Sequence, residues 1–173
     1  MKMDKVAGSK NDEFYTPEYA VRPILKYLKR GDRIWCPFDT DKSNFVGMIR
    51  EHGSEVVCGH IDTGSDFFAE SAPECDAVVS NPPYSMKYQV FERLFSLKLP
   101  FAMLVGVVGL FESQRRFELF RDNEFEIMYL SRRVAYLRDY GDKKPSMHPP
   151  FSSVYVCQGI LPDRIVFEEI KKS

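Results

Sequence analysis

The sequence predicts an α/β fold in which a mainly parallel sheet is covered by helices on both faces. Short apolar runs alternate with amphipathic helical segments from residue 18 to residue 130. Residues 101–108 form the longest apolar run, as expected for a central strand that is buried on both faces. The strands predicted at 125–130 and 152–158 have no clear helix between them, which indicates an antiparallel pair at the edge of the sheet.

The first half of the chain is predicted to contain two helices and three strands. Residues 16–18 (Thr-Pro-Glu) are typical of a helix start with Thr16 as the cap, and this helix is expected to close at residues 29–32. Ser43 is expected to cap the second helix. The elements that follow the first helix are a strand at 33–38, a helix at 44–52, a strand at 55–60, a loop at 61–75 and a strand at 76–80.

The second half is predicted to contain two further helices, at 86–97 and 112–122, before the late strand pair. Their aromatic stripes are expected to face the core: Phe91, Phe95, Phe117 and Phe120. A length of 173 residues is enough for one compact domain. We therefore expect a polar, mobile tail at residues 1–13 and a single domain at 14–173.

Composition and charge restrict the class of protein. The sequence has no apolar stretch near the roughly 20 residues that span a bilayer and no apolar segment of a signal peptide, so we expect a cytoplasmic protein without membrane contact. The four cysteines and three histidines show no metal-ligand spacing, and no structural metal is predicted.

Residues 1–30 and 131–150 each carry three more Lys and Arg than acids, whereas residues 31–130 carry seven more acids than Lys and Arg. Both basic segments can meet phosphates, or they can be ordinary solvated charge.

The chemistry is predicted to lie in the motif Asn81-Pro82-Pro83-Tyr84, directly after an apolar strand. Ligand sites of open α/β sheets form at the carboxyl ends of strands. The side-chain oxygen of Asn81 and the carbonyl of Pro82 can each accept one N–H of an exocyclic amine, which favours a nucleophilic nitrogen. Tyr84 can stack on the base that carries this amine. A base inside a duplex must first be rotated out, at a cost of a few kcal/mol.

This motif matches the catalytic motif of the amino-group DNA methyltransferases, and the chain resembles that family over residues 14–156. Phe14-Tyr15-Thr16-Pro17 is similar to an N-terminal element that lies against the cofactor in adenine-N6 enzymes. Asp66-Phe67-Phe68 is similar to an element whose acid contacts the cofactor's adenine. Trp35-Cys36-Pro37-Phe38-Asp39 resembles the first cofactor element of a phage and restriction-associated branch. Residues 133–137 and 150–153 resemble the family's late strand pair.

The resemblance implies a Rossmann-like S-adenosylmethionine methyltransferase fold and direct methyl transfer to adenine N6 in DNA. The catalytic residues that it implies are Asn81, Pro82, Pro83 and Tyr84. The cofactor-binding residues are Phe14, Tyr15, Thr16, Pro17, Pro37, Phe38, Asp39, His60, Asp66, Phe67 and Asn81. The substrate-binding residues are Tyr84, Arg138 and Phe151.

Several alternatives stay open on the sequence alone. The first element lacks the glycines that are usual in the family, and either His60 or Asp62 can meet the cofactor's ribose. Asp39 suits a turn as well as a ligand contact, and Phe151 suits the core as well as a base pocket. The short chain leaves recognition to the loop at 138–150 and the basic N-terminal tail, so sequence specificity is either low or supplied by a second copy or a specificity partner. The remaining functional alternatives are methylation of RNA adenine or protein glutamine, and an inactive nucleic-acid-binding module.

Overall fold

The computed structural model describes residues 14–172, and the tail predicted at residues 1–13 lies outside them. Its strands are β1 (Arg33–Cys36), β2 (Glu55–Cys58), β3 (Ala77–Ser80), β4 (Phe101–Gly106), β5 (Glu126–Leu130), β6 (Ser153–Gln158) and β7 (Ile165–Glu168). Its α-helices are α1 (Glu18–Leu25), α2 (Asn44–His52), α3 (Lys87–Leu97) and α4 (Gln114–Arg121). None of these helices is both long and apolar enough to cross a membrane.

The strands form one seven-stranded sheet in the order β2-β1-β3-β4-β6-β5-β7. The strands β1 to β4 run parallel to one another. Strand β6 is antiparallel to both β4 and β5, and β7 is parallel to β5. The predicted α/β class, with a mainly parallel sheet and a late antiparallel pair, is therefore confirmed.

Helices cover both faces of this sheet. On one face, α1 and α2 pack through Ile24, Phe45 and other buried side chains against alternate residues of the central strands. On the other face, α3 and α4 pack through Phe91 and Phe120 against the intervening residues of the same strands. Each central strand thus buries both of its faces, which explains the continuous apolar runs in the sequence.

The first helix differs from the prediction. Its N-cap is Pro17, with no side-chain cap hydrogen bond, and the predicted cap residue Thr16 instead accepts a hydrogen bond from Asn81. The helix ends at Leu25, well before the predicted closure at residues 29–32. Pro23 lies near this early end, where its ring removes a backbone donor from the helical ladder.

Two predictions for the second half are wrong. Phe117 is 52% exposed, because the short helix α4 buries only a narrow stripe centred on Phe120. The sheet also continues beyond the late pair, since β7 pairs with β5 at the edge. The sequence did not reveal β7 because the exposed positions of this strand carry the apolar residues Ile165 and Phe167, so apolar and polar residues do not alternate with burial.

Candidate active site

The carboxyl ends of β1, β2 and β3 open onto one cavity of about 480 Å³. Parallel neighbours end at the same edge of a sheet, so the segments that follow these three strands lie close together. This volume falls in the range of roughly 300–1,000 Å³ that is typical of pockets for small molecules and cofactors. The cavity is lined by Phe14, Tyr15, Thr16, Pro37, Phe38, Asp39, Ser43, Asn44, His60, Ile61, Asp62, Ser65, Asp66, Phe67, Phe68, Asn81, Pro82, Pro83, Met86, Leu137 and Tyr140.

Asn81 has a fixed amide orientation at the wall of this cavity. Its Nδ2 donates to the backbone oxygen of Phe14 at 2.6 Å and to Oγ1 of Thr16 at 3.1 Å. With both amide hydrogens donated, Oδ1 is the part of the side chain left to accept from a ligand. The buried side chain of Thr16 therefore orients Asn81 instead of capping α1.

The N-terminal segment that supplies these partners is itself held in place. Tyr15 forms an antiparallel bridge with Leu137, with N···O distances of 3.2 and 2.8 Å, and its ring lies 4.1 Å from the ring of Tyr140. Asn44 Nδ2 donates to the backbone oxygen of Thr16 at 2.9 Å. Residues 14–16 thus form a wall that is connected to α2 on one side and to the 134–147 region on the other.

The first element, Pro37 to Asp39, is rigid without glycine. The carboxylate of Asp39 is only 5% exposed and accepts hydrogen bonds from the hydroxyls of Ser43 and Ser80. The backbone N–H of Phe38 donates to Ser80 Oγ at 3.3 Å, and that of Asp39 donates to the Gly59 oxygen at 2.9 Å. Ser80 therefore links this element to the Asn81 motif, a role that its position before the motif did not reveal.

The two candidates that follow β2 both line the cavity, but they differ in burial. His60 is buried, and its Nδ1 accepts from the backbone N–H of Asp62 at 3.0 Å, so the ring holds a 3₁₀ turn at Ile61–Thr63. The Asp62 side chain is 78% exposed and lines the cavity. His60 thus shapes the wall of the cavity, and the exposed carboxylate of Asp62 lies beside it, with Oδ2 3.6 Å from His60 Nδ1.

The Asp66–Phe68 segment is a turn beside the cavity. Asp66 Oδ1 accepts from the backbone N–H of Phe68 at 2.9 Å. The buried ring of Phe67 packs on Trp35 and Phe38, with centroid distances of 5.4 and 5.0 Å. Trp35 thus supports this wall from the core.

Arg93 of α3 secures the same turn. Its guanidinium donates to the backbone oxygens of Phe67 and of Glu70, the latter at 2.6 Å, and lies 4.8 Å from the Phe67 ring centroid. No sequence pattern predicted this role, because Arg93 lies on a helix more than 20 residues away from the turn along the chain.

A second, much narrower cleft lies on the other side of Asn81. Tyr84 and Phe151 stack there at 5.4 Å with an angle of 28° between their planes, and the ring of Phe14 lies 6.2 and 6.5 Å from them. The cleft holds about 10 Å³. A base that stacks between two rings needs a ring separation of twice the roughly 3.4 Å stacking distance of DNA bases. Tyr84 and Phe151 must therefore move apart before a base can enter.

Gly106 is the floor on which Phe151 rests. A Cβ atom at this position would lie 2.5 Å from Cε2 of Phe151. The position must therefore stay without a side chain while Phe151 keeps this place. Arg138 lies outside both cavities; it is exposed, and its backbone N–H is 3.2 Å from Asp142 Oδ2.

Solved structures of low sequence identity share the fold of this chain. No protein-family model and no curated protein matches the sequence. A modification subunit of a type I restriction enzyme from Vibrio vulnificus is 13% identical, with a TM-score of 0.61 over 98% of this chain and 49% of that chain. A methyltransferase subunit of a type I restriction-modification system from Streptococcus thermophilus is also 13% identical, with a TM-score of 0.50 over 91% of this chain and 47% of that chain. The chain thus has the fold of these methyltransferase subunits and spans about half of their length.

Proposed function

We propose that this chain is an S-adenosylmethionine-dependent methyltransferase that acts on adenine N6 in DNA, of the phage or restriction-modification type. The observation that carries the proposal is the orientation of Asn81. Its amide nitrogen donates to Phe14 and Thr16, and the residue lines both the large cavity and the narrow cleft. A cofactor in the large cavity and an amine in the narrow cleft would therefore meet at Asn81, whose Oδ1 is left to accept from the amine.

The residues of the large cavity suit the proposed cofactor. The buried carboxylate of Asp39 is a partner for the ammonium group of its methionine portion. Asp62 suits the ribose hydroxyls, and Asp66 suits an adenine amino group flanked by the rings of Phe38 and Phe67. When bound, S-adenosylmethionine supplies an electrophilic methyl group on its sulfonium. Tyr15 lines this cavity and joins the Phe14–Thr16 wall to Leu137, and Pro17 connects the wall to the start of α1.

The narrow cleft suits a planar base that carries an amine. Asn81 Oδ1 and the Pro82 carbonyl accept the two N–H groups and stabilise the positive charge that develops on nitrogen. Pro83 restricts the backbone at the start of the 3₁₀ turn that carries Tyr84. The base replaces the mutual stacking of Tyr84 and Phe151 with stacking on each ring. This exchange offsets part of the cost of rotating the base out of a duplex.

DNA is the proposed partner for two reasons. The motif and its companions resemble adenine-N6 DNA enzymes, and the segment at 131–150, which carries the exposed Arg138, is basic. Backbone phosphates are attracted to such a segment. A second copy or a separate specificity subunit would then supply recognition of a particular sequence.

Transfer of tritium from labelled S-adenosylmethionine to unmethylated DNA tests the proposal. Asn81→Ala is expected to lower the rate by roughly 10²- to 10³-fold, the usual effect of losing one preorganised polar group. Asn123→Ala is the matched control, because the Asn123 amide donates to the Leu119 oxygen at 2.8 Å just after α4 and lines neither cavity. Absence of transfer by the wild type, or equal rates for wild type and Asn81→Ala, would contradict it. Label in RNA or protein but not in DNA would reassign the substrate.

A further inference from the structure

Lys87 is a buried cation that directly follows the turn carrying Tyr84. It is only 5% exposed, and its Nζ donates to the backbone oxygens of Gly106 at 3.0 Å and Val108 at 2.7 Å. The same Nζ lies 4.3 Å from the ring centroid of Tyr84. Because burial of an ammonium group costs free energy, these contacts have to compensate for a large loss of hydration.

The groups around Nζ indicate the protonation state of Lys87. Two are carbonyl oxygens and the third is the electron-rich face of an aromatic ring, which together suit the three N–H donors of an ammonium group. A neutral amine would direct its lone pair at one of these electron-rich groups. The geometry therefore favours a charged donor over a general base.

Lys87 also connects the parts of the narrow cleft. It lines this cleft together with Asn81, Tyr84, Gly106 and Phe151. One carbonyl contact is that of Gly106, the last residue of β4 and the glycine on which Phe151 rests, and the other is that of Val108, two residues further on. Its ring contact reaches Tyr84, so one side chain fixes both the floor of the cleft and one of its stacking rings.

We propose that Lys87 is a positioning residue that holds the Tyr84 ring ready to stack on an extruded nucleobase; this inference rests on the proposed function. A ring held in place loses less conformational freedom when the base arrives, so capture is tighter. Lys87 acts through Tyr84 and does not touch the reacting amine.

The role implies a dependence on pH. Burial lowers the pKa of Lys87 to about 8, the positive charge of Arg116 contributes in the same direction, and Glu112 opposes both. Below this pH the Lys87 side chain is charged and attracts the Tyr84 ring. Above this pH it is a neutral amine and the attraction is lost. Base capture should therefore weaken as pH rises through about 8.

A duplex with an unpaired 2-aminopurine tests capture without methyl transfer, because the fluorescence of this base changes when it leaves the stack of its neighbours for the protein. Lys87→Met is expected to weaken capture roughly 3- to 30-fold, the range for loss of a cation–π contact that is partly or fully desolvated. Lys98→Met is the matched control, since it removes the same charge from an exposed residue just after the end of α3 and should leave capture unchanged. In a double-mutant cycle, Lys87→Met should have little further effect on Tyr84→Leu.

Equal capture by the wild type and Lys87→Met, or additive effects in the cycle, would overturn the inference. If Lys87→Met does not fold, the wild-type pH series decides, and capture that stays constant through pH 8 overturns it. Capture that depends on Lys87 without any methyl transfer would overturn the proposed enzymatic function alone. Methyl transfer with capture independent of Lys87 would overturn the Lys87 inference alone.

Discussion

Replacement of Asn81 by Asp separates the two roles that the structure gives this side chain. The substitution keeps an acceptor oxygen at the cleft but removes both donors of Nδ2. An oxygen would then face the Phe14 backbone oxygen, which now receives a hydrogen bond of 2.6 Å, and Thr16 Oγ1, now at 3.1 Å. If Asn81 served only as an acceptor, the carboxylate of Asp would replace it well.

The magnitude follows from the contacts that are lost. Each hydrogen bond contributes about 0.5–1.5 kcal/mol, and an unsatisfied carbonyl costs about 1–3 kcal/mol more. The two lost hydrogen bonds and the unsatisfied carbonyl total about 2–6 kcal/mol, which corresponds to roughly a 30- to 20,000-fold loss. We expect this loss in the second-order rate constant for methyl transfer and, in part, in the affinity for S-adenosylmethionine, because Phe14 and Thr16 line its proposed cavity.

Tritium transfer measures the first quantity and isothermal titration calorimetry the second. A thermal unfolding curve without cofactor serves as the control for global stability. Wild-type transfer and wild-type cofactor affinity in Asn81→Asp would refute the claim that Phe14 and Thr16 orient the amide.

Three further predictions concern other parts of the chain. Asp39→Asn should weaken S-adenosylmethionine binding roughly 10- to 150-fold in calorimetry, because a hydrogen bond to a charged group is worth about 1.5–3 kcal/mol; unchanged affinity would contradict the assignment of Asp39. Arg93→Met should speed amide hydrogen exchange in the Phe67 turn with little change elsewhere, and unaltered exchange there would contradict its securing role. The hydrogen bond to Glu168 raises the pKa of Tyr27 from 10.0 to about 12. The contribution of this hydrogen bond to the free energy of unfolding is therefore complete below pH 10 and is lost as pH rises toward 12. Denaturant titrations should show this alkaline loss in the wild type but not in Tyr27→Phe.

The sequence predicted best what is decided locally. Helix α2 lies at the predicted residues 44–52, because Ser43 caps it and Gly53 ends it in the left-handed conformation with φ of 109°. The position of the Asn81 motif after a buried strand was also predictable, since strand ends form the ligand edge of such sheets. These signals depend on neighbours within a few residues.

Contacts between distant parts of the chain could not be predicted. Thr16 looked like a cap, but its hydroxyl accepts from Asn81, 65 positions away. Arg93 secures a turn that belongs to another segment, and Ser80 binds Asp39 across the sheet. The sequence also pointed to Tyr84 and Phe151 as base contacts, but it could not show that their rings stack on each other.

The most direct test of the central claim is nucleoside mass spectrometry of DNA incubated with the protein and S-adenosylmethionine that carries a deuterated methyl group. The account predicts labelled N6-methyl-deoxyadenosine, because Asn81 Oδ1 and the Pro82 carbonyl present an exocyclic amine beside the cofactor cavity. Folded protein that yields no labelled deoxyadenosine would contradict it.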